Sequence, residues 1–103
     1  MSKYGLHGKL TASEGNRDTL ANILLAASQL VSAAPGCQVY LISTDDADEH
    51  SVWVTEVWDS QVEHDNSLKD QQVRALIAKA MPLLAGKPEK GQTLRVLGGA
   101  GVE

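Results

Sequence analysis

Residues 37–58 read CQVYLISTDDADEHSVWVTEVW, and their reading decides the fold. Cys37 to Thr44 is rich in β-branched and aromatic residues, the composition of a strand. Ser51 to Asp59 has the same character, and the polar stretch DDADEH between them joins the two runs as a hairpin. That loop is too long for a tight two-residue turn. Both runs carry apolar residues on both faces: Val39 and Leu41 oppose Tyr40 and Ile42, while Val52 and Val54 oppose Trp53 and Val57. A sheet with one solvated face alternates more cleanly. Both faces of this sheet are therefore expected to be covered.

Upstream, KYGLHGKL at residues 3–10 places Tyr4, Leu6 and Leu10 on one face and Lys3, His7 and Lys9 on the other. This is a strand interrupted by Gly5 and Gly8. TASEGNRDTL is turn-rich and offers several N-caps, so a helix is expected to start near Gly15 to Asp18. Leu20, Ile23, Leu24, Ala27, Leu30 and Val31 then recur at three- and four-residue spacing, the stripe of an amphipathic helix. Ala33-Ala34-Pro35-Gly36 ends it. Downstream, Gln61 to Ser67 suits a separate short turn, and Val73, Leu76, Ile77, Ala80, Met81 and Leu84 mark a second helix that Gly86-Lys87-Pro88 breaks. Gln92 to Leu97 supplies a last strand, and GGAGVE at 98–103 reads as a flexible tail.

The order is β-α-β-β-α-β. It specifies an α+β, ferredoxin-like fold: a four-stranded antiparallel sheet with two helices on one face. With no residues left to cover the other face, a second copy is the economical cover. The expectation is a homodimer whose two sheets pack face to face.

At 103 residues the chain is expected to be one domain, with an ordered core of about 3–97 and a modest hydrophobic interior. Its 43% hydrophobic and 21% charged residues suit a globular protein rather than a disordered one. A formal net charge of −4 without a basic cluster argues against nucleic acid. No apolar run approaches the roughly 20 residues of a membrane span, and MSKYGLHGKL lacks the apolar centre of a signal peptide. Cys37 stands alone, which excludes an internal disulfide and fits a reducing compartment. A cytoplasmic location is expected.

Candidate chemistry gathers after residue 55. Glu56 and Trp58 share a strand face with Val52 and Val54, because side chains alternate with period two. Facing the helices, Glu56 is a carboxylate in an apolar setting, where burial raises its pKa and the ionised form needs a partner. It either orients a histidine or a substrate hydroxyl, or forms a structural pair with Arg17 or Arg74. Trp58 is either an aromatic wall or core packing, and Trp53, on the opposite face, suits an interface. His64 follows the strand by one short turn and suits a base at a pocket mouth, since imidazole accepts a proton near neutrality. The bland alternative is a solvated histidine between Glu63 and Asp65. Tyr40 offers a hydroxyl to a ligand or pairs across strands. His7 lies on the interface side, His50 is solvated in the acidic loop, and Cys37 reads as a small buried hydrophobe. The three histidines come from separate elements with no HxH, HExxH or cysteine pair, so no metal site is expected.

The succession GKLTASEGNRD at 8–18, PGCxxY at 35–40, ExWxS at 56–60, His64 with Ser67-Leu68, and VRALIAKAMPLL at 73–84 resembles the antibiotic biosynthesis monooxygenase family. The resemblance spans roughly residues 4–97. It implies a dimeric α+β barrel with a pocket between each sheet and its own helices. It also implies oxidation of quinols, phenols or polycyclic aromatics by dioxygen, often with no metal or flavin, so no cofactor is expected. The protein's tasks are then to bind the ring, take a proton and exclude water. On this resemblance His64 is the base, Glu56 its orienting partner, Trp58 a stacking wall, and Tyr40 and Ser67 substrate contacts. Many relatives place a histidine about one turn later, where this chain has Ser67, and some have another near Gln72. Either His64 takes over that role from a neighbouring turn, or the site is rewired or inactive. Two other classes share the architecture: a non-catalytic binding or stress-response dimer, and a haem-degrading or isomerase relative. A phosphorylated substrate would need a basic pocket, for which only Arg17, Lys69 and Arg74 are at hand.

Overall fold

Four strands form one antiparallel sheet in the order β2-β3-β1-β4, in a computed structural model that describes residues 2–102. β3 (Asp48–Trp58) is paired on both sides, with β1 (Lys3–Thr11) and with β2 (Cys37–Asp45); β4 (Gln92–Val96) adds to the far side of β1. Register sets the two faces. Tyr4 lies opposite Trp58, Leu6 opposite Glu56 and Leu10 opposite Val52, while His7 lies opposite Thr55 and Lys9 opposite Trp53.

Helix α1 (Arg17–Val31) lays its buried stripe of Leu20, Leu24, Ala27 and Val31 on the first of these faces. Its hydrophobic spacing of three and four residues is what produces that stripe. A short helix, α2 (Gln61–Ser67), follows β3 and folds back over the end of the sheet. α3 (Gln71–Ala80) packs beside α1, burying Val73 and Ala80, and Asp70 caps it by accepting from Gln72 N and Val73 N. The core divides into two clusters. One holds Ala12, Leu20, Leu24, Val52 and Ala80, and the other Val31, Trp58 and Val73. The second lies at the end of the sheet that α2 covers. Among the described residues, no helix is long and apolar enough to cross a membrane.

Several expectations need correction. The barrel is absent: among the described residues the sheet is open, with β2 and β4 as its edges. Four strands are about half the number that small barrels use to close, and β4 contributes only five residues. The described residues form three α-helices rather than two, because Ser60 accepts from Glu63 N and so starts α2 as a helix of its own. The last helix stops at Ala80 and tightens into a 3₁₀ turn at Met81–Leu83, where Pro82 cannot continue the α-helical ladder. The hairpin between β2 and β3 is tight after all. Asp45 pairs with Asp48, and Asp45 Oδ1 accepts from Ala47 N at 2.8 Å across the two-residue turn. His50, expected in that loop, therefore sits within β3. Of the tail expected over 98–103, Gly99 and Val102 form a small bridge, and Glu103 lies outside the described residues.

Gly36 joins α1 to the sheet in a left-handed conformation, φ +84°, and its carbonyl accepts from Asp59 N at 2.8 Å. A Cβ there would overlap the Glu63 carboxylate. Gly36→Ala is expected to cost about 2–3 kcal/mol, since left-handed backbone alone costs a non-glycine residue roughly 1–3. Adding Glu63→Ala removes the overlap but not the backbone strain. Urea unfolding of the double variant should recover part of the loss; full recovery would place the whole cost in the overlap.

Candidate active site

The last turn of β3 and the whole of α2 build the site. Glu56 and Trp58 point to the helix face of the sheet, two residues apart, and Trp58 Nε1 donates to Glu56 Oε1 at 3.0 Å. After Ser60 the chain reverses through α2, which carries His64 back over this pair. The imidazole meets the Trp58 indole edge-on at 5.8 Å between ring centres and lies 5.5 Å from the ring of Tyr4. Its side chain is 13% exposed and that of Glu56 14%, so both polar groups are largely withdrawn from water.

His64 Nδ1 is 2.9 Å from Asp65 Oδ1. A carboxylate oxygen accepts, so the hydrogen-bond network places the proton on Nδ1. Nε2 is then the basic nitrogen, and it stands 3.9 Å from Glu56 Oε1. That separation is too long for a direct hydrogen bond but short enough for strong electrostatic coupling.

Tyr40, Glu56, His64 and Ser67 form the polar side of a cavity of about 50 Å³, whose apolar wall comes mainly from α1 and α3, with Leu24, Ala27 and Leu76 among its members. Ser67 is buried, and its Oγ donates to the His64 carbonyl at 2.6 Å. Trp58 does not line this cavity; it is fully buried behind it, against Val31 and Val73. A dry cavity that holds benzene in another protein is about 150 Å³. An aromatic ring therefore needs side chains here to move aside.

Glu56, Tyr40 and Cys37 are each pushed toward the neutral form. Burial raises the Glu56 carboxyl, against which the Trp58 N–H and His64 pull it down. Burial, reinforced by Glu56 and then Cys37, lifts the Tyr40 hydroxyl well above the usual phenol range. The Cys37 thiol is raised by burial and then by Glu56. A new anion in this cavity is thus unfavourable unless its proton stays close by as a positive charge.

The raised Glu56 has a consequence for stability. Its folded pKa lies above the ordinary 4.5, so between the two values the native state holds a proton that the unfolded chain has released. Its contribution is complete below 4.5 and is lost as pH rises through the folded value. Glu56→Gln keeps an acceptor for Trp58 and removes the titration. Urea midpoints across this pH range should show wild type losing stability relative to Glu56→Gln as pH rises. A difference that runs the other way would mean that the carboxylate, not the acid, is the favoured native form.

Of the residues singled out in the sequence, the fold gathers Tyr40, Glu56, His64 and Ser67 around one space and sets Trp58 in contact with two of them. Neither arginine meets Glu56: Arg17 Nη2 pairs with Asp18 at 3.2 Å, and Arg74 is exposed. His7 lies on the opposite face, stacked on Trp53 at 5.0 Å with Nδ1 2.9 Å from Thr55 Oγ1. Tyr4 and Asp65 were missed. Asp65 directly follows His64, an adjacency that could have suggested a partner, but only the strand register brings Tyr4 beside α2. Among the described residues, no three His, Cys, Asp or Glu side chains are grouped to hold a metal ion.

The model of the antibiotic biosynthesis monooxygenase family matches residues 4–79. A crystal structure of a protein from Chloroflexus aurantiacus, assigned to that family, shares 38% identity over 98% of this chain and 99% of its own, with a TM-score of 0.88. Two more distant structures share the fold. One, from Pseudomonas aeruginosa, has 22% identity over 94% of this chain and 96% of its own, with a TM-score of 0.83. The other, from Caulobacter crescentus, has 21% identity over 93% and 91%, with a TM-score of 0.84. No protein with a curated description matches the chain. The match over three-quarters of the sequence and the full-length relative agree, and the chain belongs to the antibiotic biosynthesis monooxygenase family.

Proposed function

We propose that the protein oxidises a quinol or similar small electron-rich phenol with dioxygen, without a bound cofactor. The observation that carries this reading is His64: a half-buried imidazole held at Nδ1 by Asp65, with Nε2 turned toward Glu56 in a largely apolar cavity. A substrate hydroxyl placed at Nε2 passes its proton to His64. The resulting imidazolium lies between the new phenolate and Glu56 and offsets both, which the surroundings otherwise disfavour. The phenolate then gives an electron to dioxygen, and the two radicals combine in a carbon–oxygen bond. Cleavage of the oxygen–oxygen bond leaves one atom on the ring and releases the other as water, so a quinol and dioxygen become a hydroxyquinone and water. Tyr40, kept neutral, serves as a hydrogen-bond donor, Ser67 shapes the floor, and Trp58 backs the site and steadies Glu56.

The working unit in this proposal is a homodimer. The sheet face away from the helices exposes Leu41 (55%) and Leu94 (48%) beside Val39, Val57 and the His7–Trp53 stack. A second copy would take that apolar surface out of water. Sedimentation at micromolar concentration checks this, and a monomeric mass removes the dimer from the proposal.

Dioxygen uptake by metal-stripped protein against a panel of quinols tests the activity. Saturable uptake above the spontaneous rate is expected. Saturable binding of the same quinols with no uptake would instead make the protein a binding module.

A further inference from the structure

Beside the inner cavity lies a second space of about 370 Å³. Leu30, Ala33, Ala34 and Pro35, at and after the end of α1, form its apolar wall, and Glu63, Asn66 and Asp70 its polar side. Val31, Ser67 and Val73 line both spaces, so these three side chains are the partition between them. Among the described residues, no lysine or arginine lines either one.

We propose that the two spaces are halves of one binding site, and that its ligand is an aromatic hydroxyl compound whose apolar extension ends in a cationic or hydrogen-donating group. The inner space alone is too small for a ring, but the two together reach the roughly 300–1,000 Å³ of ordinary small-molecule sites. Of the three partition side chains, Val31 and Val73 belong to α1 and α3 and to the core, so the movable part is Ser67 on a light element. α2 has only seven residues, well under the roughly 12–15 that an isolated helix needs, and Ser67 sits at its last position. A ligand extension passing Ser67 arrives at Glu63.

Glu63 gives the outer half its selectivity. Its Oε2 is buried with no hydrogen-bond partner among the described residues, a costly state that a donor on the ligand relieves once the side chain turns toward it. Asp70 adds negative charge, and the positive end of α3 offers an anion nothing, because Asp70 already accepts from Gln72 N and Val73 N there. An anionic end group would meet two carboxylates without a cation to offset them.

The placement of the ring in the inner half rests on the proposed function; the charge preference of the outer half does not. Calorimetric titration without dioxygen tests it, using hydroquinones with a short alkyl chain ended by ammonium, hydroxyl or carboxylate. The ammonium probe is expected to bind about tenfold or more tightly than the carboxylate probe, and Glu63→Gln to erase most of that ratio. Ala33→Trp fills the outer half from an exposed position, away from the core, and should weaken the ammonium and hydroxyl probes about tenfold. Equal affinity for the two charged ends, insensitivity to Ala33→Trp, or no binding by any probe would each overturn the proposal. The expected binding pattern without oxidation would leave this site standing and remove the oxidative function. Oxidation of plain quinols with no preference among the end groups would do the reverse.

Discussion

Replacing His64 with alanine is expected to slow quinol-dependent dioxygen uptake roughly 10²–10⁴-fold, the range of a positioned general base. The loss should fall mainly on kcat, because the apolar wall that binds the ring is untouched. No neighbour can take the proton instead. The Glu56 Oε1 that faces His64 is already engaged by the Trp58 N–H, and Tyr40 holds its own proton more firmly than a free phenol does. The pH profile separates a base from a spacer. As pH approaches the substrate's own pKa, the phenolate arrives already formed, and the deficit of His64→Ala should shrink. A deficit that stays constant to alkaline pH would make His64 a shaping residue and move the proton to another acceptor. Thermal unfolding of the variant keeps the comparison fair, since His64 also packs on Tyr4 and Trp58.

Local patterns were legible in this sequence and distances between elements were not. Leu20, Leu24, Ala27 and Val31 repeat at helical spacing and are the residues that α1 buries. Glu56 and Trp58 fall on one face with Val52 because strands alternate, and pairing with Leu6, Tyr4 and Leu10 keeps them there. The tight hairpin was hidden because DDADEH is polar throughout its ends, and polarity alone does not show where pairing resumes. There the Asp45 carboxylate, holding Ala47 N, closes the turn early. Pro82 was readable as a helix breaker, yet the apolar repeat continuing to Leu84 masked it. A barrel was expected from the resemblance, whereas pairing within the chain leaves both sheet edges open. At the site, Ser60 and the short run to Ser67 carried enough local information to suggest a turn after β3. They carried none about its direction, so the contact of His64 with Tyr4, distant in sequence, was invisible. The size of the cavity was equally hidden, because it depends on how α1 and α3 pack over β3.

Trp58→Ala is expected to cost roughly 3–5 kcal/mol, the usual loss when a large buried aromatic is truncated. Trp58 is fully buried and joins Val31 of α1 to Val73 of α3, so the void opens where both helices meet the sheet. Against a total stability of about 5–15 kcal/mol for a small protein, this brings the chain close to unfolding, and urea titration at low temperature measures it. A loss below about 1 kcal/mol, the scale of an ordinary surface change, would mean that the indole is not central to the core. Trp58→Phe separates packing from hydrogen bonding. It keeps most of the ring and removes the indole N–H that donates to Glu56 Oε1, the hydrogen bond that pulls the carboxyl down against burial. Glu56 should then hold its proton to higher pH. The pH window over which Glu56→Gln gains on its parent should widen upward in the Trp58→Phe background. An unchanged window would show that burial and His64 alone set the carboxyl. If it widens, the residue that holds the two helices to the sheet also sets the charge state of the acid beside His64, so the pH dependence of stability and that of catalysis should shift together.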